Sequence, residues 1–536
     1  MAGEGAPRRE GRASGFVAPR AHEWLLVVAG ALLVVRYRWL LDDAFVYFRY
    51  VDNLLFTGAG LVFNAGEYVE GYSSPLQCLV LVLLRAAGLD WMHAVTLLGV
   101  TCFVGFALLV VKLNRELSPD APVVDLPLAY LACLYGTTSF FTSGLETPLA
   151  HSMAPVTALW LVRSRGAGLT ALLALAPLAR PELVLAVGGV GLFRWWRDGR
   201  FPWRLFVSTA LAVGFWLAFR VVYYAELLPN TFYLKDDVQV AQGLVYLWDL
   251  LRGTAALPVA TVACIVFALG RLRRQADGPE APPQPTGDAA ARAAMLLIAA
   301  AVAAYVVRIG GAALHYWYLA FPFTLAVCAS AGWMETAAQR LGASQRGVAA
   351  AALALAAVVA LAYPHQLSGH PFRRSESHTQ IGVIGDASFH RLHPRLQPAS
   401  WRGRVRPRDM RAFARVLAQR GYDRVVTGTW CRAHWAGYRD RVVHGFGLTE
   451  PVLARVDTPE LKPGHKPALR ALAEDVAAVR RTGSTLVQAI DRGDAPAWMA
   501  RNRESIATIE AKMFNRHRPV ENLRLAFTFP ERIVLR

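Results

Sequence analysis

The chain has 536 residues, of which 54% are hydrophobic and 15 are tryptophan, and this is too apolar for a single soluble domain. Its formal charge is +18 at pH 7, but no basic stripe with interleaved aromatic residues is present, so we expect no nucleic-acid partner. Anionic lipid headgroups account for the basic residues near the membrane. The six cysteines have no paired spacing, which argues against a disulfide framework and against a zinc site.

The N-terminal segment, residues 1–22, is Arg-rich and predicted to be disordered, and residues 23–41 form the first apolar run. Positive charge before a first membrane helix places its start in the cytoplasm. Asp42 and Asp43 follow the run directly and therefore emerge at the opposite membrane surface. Carboxylates beside hydrocarbon are costly unless they have a function, so this pair is a candidate site. The alternative is a solvated helix end.

Eleven apolar runs are candidates to cross a bilayer as helices. They are residues 23–41, 93–111, 124–142, 148–163, 167–178, 183–195, 205–222, 253–270, 293–310, 314–333 and 347–362. The runs 167–178 and 183–195 are short enough to be half-helices, and residues 75–88 are predicted to lie in the outer interface. The predicted cytoplasmic loops, among them the linker 271–292, carry the arginine clusters that this orientation requires. We therefore predict an all-α polytopic membrane bundle over residues 23–363.

An odd number of spans places residues 364–536 outside the cytoplasm. This tail has mixed charge and is predicted to be an extracytoplasmic soluble domain, either α/β or mainly helical. Helices are predicted at 406–421, 466–481 and 494–513, and strands at 379–390 and 422–428.

The same orientation collects the unusual polar loops on the outer side, beginning with the first external loop, residues 42–92. Nucleotide donors are absent there, and the chain has no P-loop or dinucleotide fingerprint. A group-transfer enzyme in this position must take its activated substrate from the lipid phase. A sugar joined to a polyprenyl phosphate meets this requirement, because its tail partitions into the bilayer and its phosphate is the leaving group.

This chemistry needs a carboxylate that accepts the proton of an acceptor hydroxyl, and cations or a metal that stabilise the departing phosphate. Asp42 or Asp43 suits the first role, with assistance from Glu70 or Glu146. The two aspartates are also a candidate ligand set for a divalent cation (Mg²⁺, Mn²⁺ or Ca²⁺), which nothing beyond the carboxylates supports. The cations available near the outer surface are Arg180, Lys235, Arg308 and His315.

Each of these cations has a structural alternative. Arg180 and Glu182 could form an internal ion pair, Lys235 could extend to the interface, and His315 could belong to an aromatic belt. His151, on an apolar helix face, is expected to be a hydrogen-bonded core residue.

The run LLDDAFVYFRYVDNLLFTGAGLVFNAGEYVEGYSSPL resembles the first external loop of GT-C fold glycosyltransferases that use lipid-linked sugars. The segments SGLET, ARPE and PNTFYLK follow in the order seen in the branch that contains terminal arabinofuranosyltransferases. Residues 447–451 and 462–466 of the tail fit the same order. The resemblance covers most of residues 40–320 and part of the tail.

The resemblance implies roles for particular residues. Asp42 and Asp43 would be the catalytic pair, and Glu70, Tyr72 and Ser74 would shape the floor of the site. The donor cavity would be lined by Glu146, Arg180, Glu182, Asn230 and Lys235.

The chain departs from this family at two positions. Relatives commonly have Gly-Gly-Asp followed by an arginine, whereas this chain has Ala312 after two glycines and Tyr318 near the place of the arginine. His315 is the candidate substitute for the lost cation.

We therefore expect a multi-pass glycosyltransferase of the cytoplasmic membrane. It would transfer a sugar, for which arabinofuranose is the nearest analogy, from a polyprenyl phosphate to a cell-envelope glycan on the extracytoplasmic side. The alternatives are a lipid-linked glycan polymerase or ligase, a transporter or flippase for an envelope lipid, and an inactive scaffold. A transporter would require an inverted repeat, which the sequence does not show.

Overall fold

The structure is a computed structural model. It describes residues 19–41, 43–117, 125–163, 166–235, 237–254, 289–312, 314–332, 424–427, 441–459, 468–515 and 518–535, with isolated positions at 344, 347, 350, 354, 357 and 466. The described part is mostly helical. The description does not include residues 1–18, Asp42, or the predicted elements 379–390 and 406–421. It also leaves out the run 253–270 beyond residue 254, the linker 271–292 up to residue 288, and the run 347–362 apart from the isolated positions.

The described residues before position 333 contain fifteen helices. They are α1 (Ala21–Arg36), α2 (Ala44–Asp52), α3 (Pro75–Ala86), α4 (Trp91–Leu117), α5 (Leu126–Cys133), α6 (Tyr135–Phe140), α7 (Thr147–Arg163), α8 (Ala167–Ala174), α9 (Ala176–Ala179), α10 (Val184–Asp198), α11 (Trp203–Tyr224), α12 (Asn230–Leu234), α13 (Val240–Gly253), α14 (Ala289–Arg308) and α15 (Ala320–Ala329). A π-helical turn (Asn53–Thr57) extends α2, and 3₁₀ turns (Pro181–Leu183 and Trp317–Leu319) precede α10 and α15.

Three of these helices, α4, α11 and α14, are long and apolar enough to cross a membrane. They coincide with the predicted runs 93–111, 205–222 and 293–310, so these three runs form helices with the length and apolarity of a membrane span. The other described runs form shorter helices. The run 124–142 is interrupted at Leu134, whose backbone is extended, and the run 167–178 is divided between α8 and α9. The structure therefore supports a helical membrane protein without establishing eleven spans.

One end of the helix bundle is joined by charged contacts between helix termini. The start of α1 meets the end of α4, the ends of α4 and α7 meet, and the end of α10 meets the end of α7. These contacts are Glu23–Arg115, Glu116–Arg163, and Arg194 Nη2 to the carbonyls of Trp160 (2.8 Å) and Leu161 (2.7 Å). The helices α4, α7 and α10 therefore run in the same direction and α1 runs in the opposite direction, and the other ends of these helices gather the loops that contain the candidate residues.

The described tail contains a two-stranded parallel sheet and six helices. The strands are β1 (Arg424–Thr427) and β2 (Arg441–His444), and the helices are α16 (Pro451–Ala454), α17 (Leu469–Arg481), α18 (Leu486–Arg492), α19 (Ala497–Arg501), α20 (Arg503–Met513) and α21 (Pro519–Ala526). The predicted strand at 422–428 and the helix at 466–481 are confirmed as β1 and α17. The helix expected over 494–513 is instead divided at Asn502 into α19 and α20, and β2 was not predicted.

The tail packs directly on the first loop. Asn64 pairs with the backbone of Val442 in both directions, at 3.0 Å and 2.9 Å, and the Tyr68 amide donates to the Met513 carbonyl at 2.7 Å. Glu67 forms an ion pair with Arg441. These contacts hold the tail against the loop that carries Glu70, Tyr72 and Ser74.

The interior of the tail is built around a fully buried cation. Arg480 lies 3.4 Å from the Glu450 carboxylate and 3.3 Å from that of Glu510. Glu510 also accepts the amides of Leu486 and Val487, at 2.9 and 3.1 Å, at the start of α18. Burial raises the pKa of the Glu450 carboxyl, and Arg480 opposes that rise. Arg480 thus joins α16, α17, α18 and α20.

Replacing Arg480 by alanine should destabilise the tail by about 3–5 kcal/mol, because it leaves two buried carboxylates without their cation. The matched control is Arg481→Ala, since Arg481 is the next residue, more exposed, and 3.8 Å from Glu474. The control should change stability by about 0.5 kcal/mol or less. Thermal unfolding of both variants in detergent provides the measurement, and equal losses would contradict the role of Arg480.

Candidate active site

The candidate site begins at the turn that contains Asp43. Asp43 is half-buried and immediately precedes α2. The Leu41 amide donates to the Ser143 carbonyl at 2.9 Å, so the turn is attached to the loop between α6 and α7. Asp42, the other member of the predicted pair, lies outside the described residues.

Gly144 makes the close approach of this loop possible. Its φ is +82°, in the left-handed region where side chains with a Cβ are strained, and a Cβ there would lie 2.6 Å from that of Ala44. Gln77 of α3 donates to the Gly144 carbonyl at 3.3 Å. Loop residues 143–146 are therefore packed between α2 and α3, with Glu146 directed to the next group of residues.

A buried ionic cluster follows this loop. Arg180 lies 3.1 Å from Glu146 and 2.5 Å from Glu182, and all three side chains are at least nine-tenths buried. The Trp317 indole donates to the Glu146 carboxylate at 3.3 Å. The arginine lies at the break between α9 and the 3₁₀ turn, where Pro181 has no amide hydrogen and the helix cannot continue unchanged. Glu146, Arg180 and Glu182, predicted from separate segments, are thus brought together.

Tyr318 connects this cluster to Lys235. The Arg180 guanidinium lies 4.2 Å above the Tyr318 ring, and Lys235 Nζ donates to the Tyr318 hydroxyl at 3.0 Å. The Tyr246 hydroxyl accepts the Tyr318 amide at 3.0 Å. Tyr318 therefore contacts one cation through its ring and a second through its hydroxyl. We refer to Glu146, Arg180, Glu182, Tyr318 and Lys235 as the Arg180 cluster.

The backbone beside Tyr318 is strained. Tyr316 has φ of +70°, which is unfavourable for a residue with a side chain. Its buried hydroxyl is held by His151 Nε2 at 2.9 Å and Thr137 at 3.0 Å. His151 also contacts the Thr147 carbonyl at 3.1 Å, so its prediction as a hydrogen-bonded core residue is confirmed. This anchoring fixes the turn that directs Trp317 and Tyr318 to the Arg180 cluster.

Glu70 and Asn230 are used to join segments. Glu70 forms an ion pair with Arg220 of α11 and accepts the Trp216 indole at 3.1 Å. Burial raises the pKa of the Glu70 carboxyl, although Arg220 opposes the rise. The backbone amide of Asn230 donates to the Glu70 carbonyl at 2.9 Å. The Asn230 side chain donates to the carbonyls of Gly447 and Leu448 at 3.0 and 2.8 Å.

Arg220 was not among the predicted site residues. The signal that could have identified it is a charged residue inside the apolar run 205–222, since such a residue requires a partner.

Tyr72 and Ser74 have contacts typical of structural residues. The Tyr72 hydroxyl is 3.2 Å from that of Tyr224, and its ring is buried. Ser74 caps α3 by accepting the Gln77 amide at 3.3 Å. These residues shape the first loop from within.

The two remaining predicted cations lie in other surroundings. His315 contacts the buried carboxylate of Asp249 on α13, and both side chains are almost fully enclosed. Arg308 is the exposed last residue of α14, and its carbonyl accepts the Gln239 amide at 2.9 Å. Tyr246, Asp249 and Trp317 complete the surroundings of the site and were not predicted, because aromatic and acidic residues in apolar helices carry no distinctive spacing.

In the part of the chain that the structure describes, no group of three or more His, Cys, Asp or Glu side chains is placed to hold a metal ion. Asp42, one half of the proposed pair, is outside that part.

The comparisons with known proteins add one distant relative. The chain is similar to the terminal beta-(1→2)-arabinofuranosyltransferase of Corynebacterium glutamicum, with 28% identity over 342 residues. The similarity covers 53% of this chain and 46% of the relative, so the chain spans less than half the length of that protein. No family model and no solved structure matches the chain. This similarity supports a distant relationship to a glycosyltransferase.

The contact of Gly144 with α2 can be tested by substitution. Gly144→Ala should lower the melting temperature in detergent more than Gly66→Ala does. Both glycines have left-handed backbones, which cost about 1–2 kcal/mol with a side chain, but an added Cβ at Gly66 meets no neighbouring atom within 4 Å. Equal effects would show that α2 does not press on residue 144.

Proposed function

We propose that this protein is a membrane glycosyltransferase that moves a sugar from a polyprenyl-phosphate donor to a hydroxyl of a cell-envelope glycan. The observation that carries the proposal is the arrangement around the Arg180 cluster. The acidic turn at Asp43 is attached to the loop of Glu146, and that glutamate leads through Arg180 and Tyr318 to Lys235. A carboxylate and a cation thus lie on connected segments at one end of an apolar bundle.

We assign the phosphate role to Lys235 rather than to Arg180. Arg180 is compensated by two carboxylates, so these three side chains together have a net charge of about −1 when ionised. Lys235 Nζ donates to the Tyr318 hydroxyl. In this proposal the Lys235 ammonium contacts the donor phosphate, while Arg180 holds the shape of the site.

In the proposed reaction, the acceptor hydroxyl oxygen attacks C1 of the donor sugar and its proton passes to the Asp43 carboxylate, with Asp42 beside it. The bond between C1 and the phosphate oxygen breaks, and the electron pair leaves with the polyprenyl phosphate. Lys235 stabilises the charge that develops on this phosphate. A divalent cation held by Asp42 and Asp43 would supply additional charge stabilisation at the same place.

The orientation follows from charge. The end of the bundle joined by Arg115, Arg163 and Arg194 is the basic end, which the positive-inside rule places in the cytoplasm. The Arg180 cluster and the tail then face outward, in agreement with an eleven-span domain over 23–363 and an extracytoplasmic domain over 364–536. The name of the C. glutamicum relative supports arabinofuranose as the sugar.

The central test is transfer by purified protein supplied with prenyl-phosphate sugars, including an arabinofuranose donor, and an oligosaccharide acceptor. Asp43→Asn should reduce turnover by at least about 100-fold, since it removes the base. Asp90→Asn is the control, because Asp90 is an exposed carboxylate near the start of α4. Wild-type turnover by a correctly folded Asp43→Asn protein would refute the assignment.

The phosphate role of Lys235 predicts a different kinetic effect. Lys235→Ala should lower kcat/KM for the donor by about 10–100-fold, because a charge-assisted contact is lost. Tyr318→Phe retains the ring beneath Arg180 but removes the hydroxyl that accepts from Lys235, and its effect should be smaller. Steady-state kinetics with varied donor separate the two variants. A larger loss for Tyr318→Phe would contradict the proposed division of roles.

A further inference from the structure

The last described helix of the tail is attached to the end of a candidate membrane span. Asn522 of α21 donates to the Val222 carbonyl at 2.6 Å, and Asn515, just before α21, donates to the Tyr223 carbonyl at 3.3 Å. Both acceptors lie in the last turn of α11. The helix α21 is therefore held at the level where α11 ends.

In α21, large apolar side chains point outward and a polar side chain points inward, which is the reverse of a helix on the surface of a water-soluble domain. Its buried positions are Asn522 and Ala526, which are 1% and 0% exposed. Its exposed positions include Val520 (84%) and Leu523 (51%), and the chain continues with Phe527 (60% exposed) and Phe529 (64% exposed). A cluster of large apolar side chains directed outward, with a polar side chain directed inward, indicates a partner that is not water.

This apolar face continues the exposed face of α11. That helix leaves its own large apolar side chains outside the protein core, among them Val207, Leu211, Phe215 and Val222. Val222 is the residue whose carbonyl binds Asn522, so α21 lies against the part of α11 that carries this exposed side chain. If α11 contacts acyl chains, the side chains of α21 lie at the adjoining edge of the same hydrocarbon.

The charges beside this face fit a phospholipid surface. Arg518 and Arg524 are exposed at the two ends of α21, and Arg518 lies 3.2 Å from Glu521. Arginines that flank an apolar face can place their stems along hydrocarbon and their guanidinium groups among headgroup phosphates. A short helix with this pattern fits the interfacial layer and is too short to cross the bilayer.

We infer that α21 and residues 527–529 insert into the interfacial layer of the phospholipid bilayer and attach the tail to the membrane beside α11. Leu523, Phe527 and Phe529 contact the upper acyl chains, and Arg518 and Arg524 contact headgroup phosphates. This anchoring holds the tail against the first loop whatever reaction the protein catalyses.

The test uses the full chain in vesicles of phosphatidylcholine and phosphatidylglycerol that contain a photoactivatable phospholipid with a diazirine on its acyl chain. After illumination, mass spectrometry should find lipid adducts on residues 519–529 at least about tenfold above those on residues 485–494 of the same tail. Adducts on α11 provide the positive reference. Equal labelling of the two tail segments would overturn the inference.

A pair of variants at one position tests the side-chain assignment. Phe527→Gln should reduce the lipid adducts on residues 519–529 by several-fold, whereas Phe527→Leu should retain them, and adducts on α11 should be unchanged in both. Thermal unfolding shows that each variant is folded, which it should be, because residue 527 is exposed. Unchanged labelling of Phe527→Gln would also overturn the inference.

Discussion

The arrangement of the site depends on the compensation of one buried cation, Arg180. A guanidinium in an apolar bundle is costly unless carboxylates and ring faces surround it. Glu146, Glu182 and the face of Tyr318 do so, and they come from three different parts of the chain. Because these groups surround Arg180, the loop after α6, the break before α10 and the turn before α15 lie next to one another.

Other constraints follow from this one. Once Glu146 is fixed, its loop must pass close to α2, and the absent side chain of Gly144 allows that approach. Once Tyr318 is fixed beneath Arg180, the strained backbone at Tyr316 must be held, and His151 and Thr137 do this from the core. The polar side chains of the interior thus set the position of the acidic turn at one side of the cluster and of Lys235 at the other.

The sequence was informative where a charge or a long apolar run lies in an unusual position. The spans α4, α11 and α14 and the pairing of Arg180 with Glu182 were predictable, because apolar length and isolated charges each have a direct physical meaning. The partners of Asp249, Arg220 and Trp317 were not predictable, because they are far away in the chain. The ion pair that was the alternative for Arg180 is confirmed by its contact with Glu182, and its role in donor binding stays a prediction. The interruption at Leu134 was also missed, as hydropathy does not report backbone conformation.

The most direct measurement is a cryo-EM structure with a non-reactive prenyl phosphonate sugar. The account predicts that the phosphonate lies within hydrogen-bond distance of Lys235, with the sugar between it and the Asp43 turn and the prenyl chain leaving into the bilayer. A ligand bound at the basic end of the bundle, near Arg115 and Arg163, would contradict it.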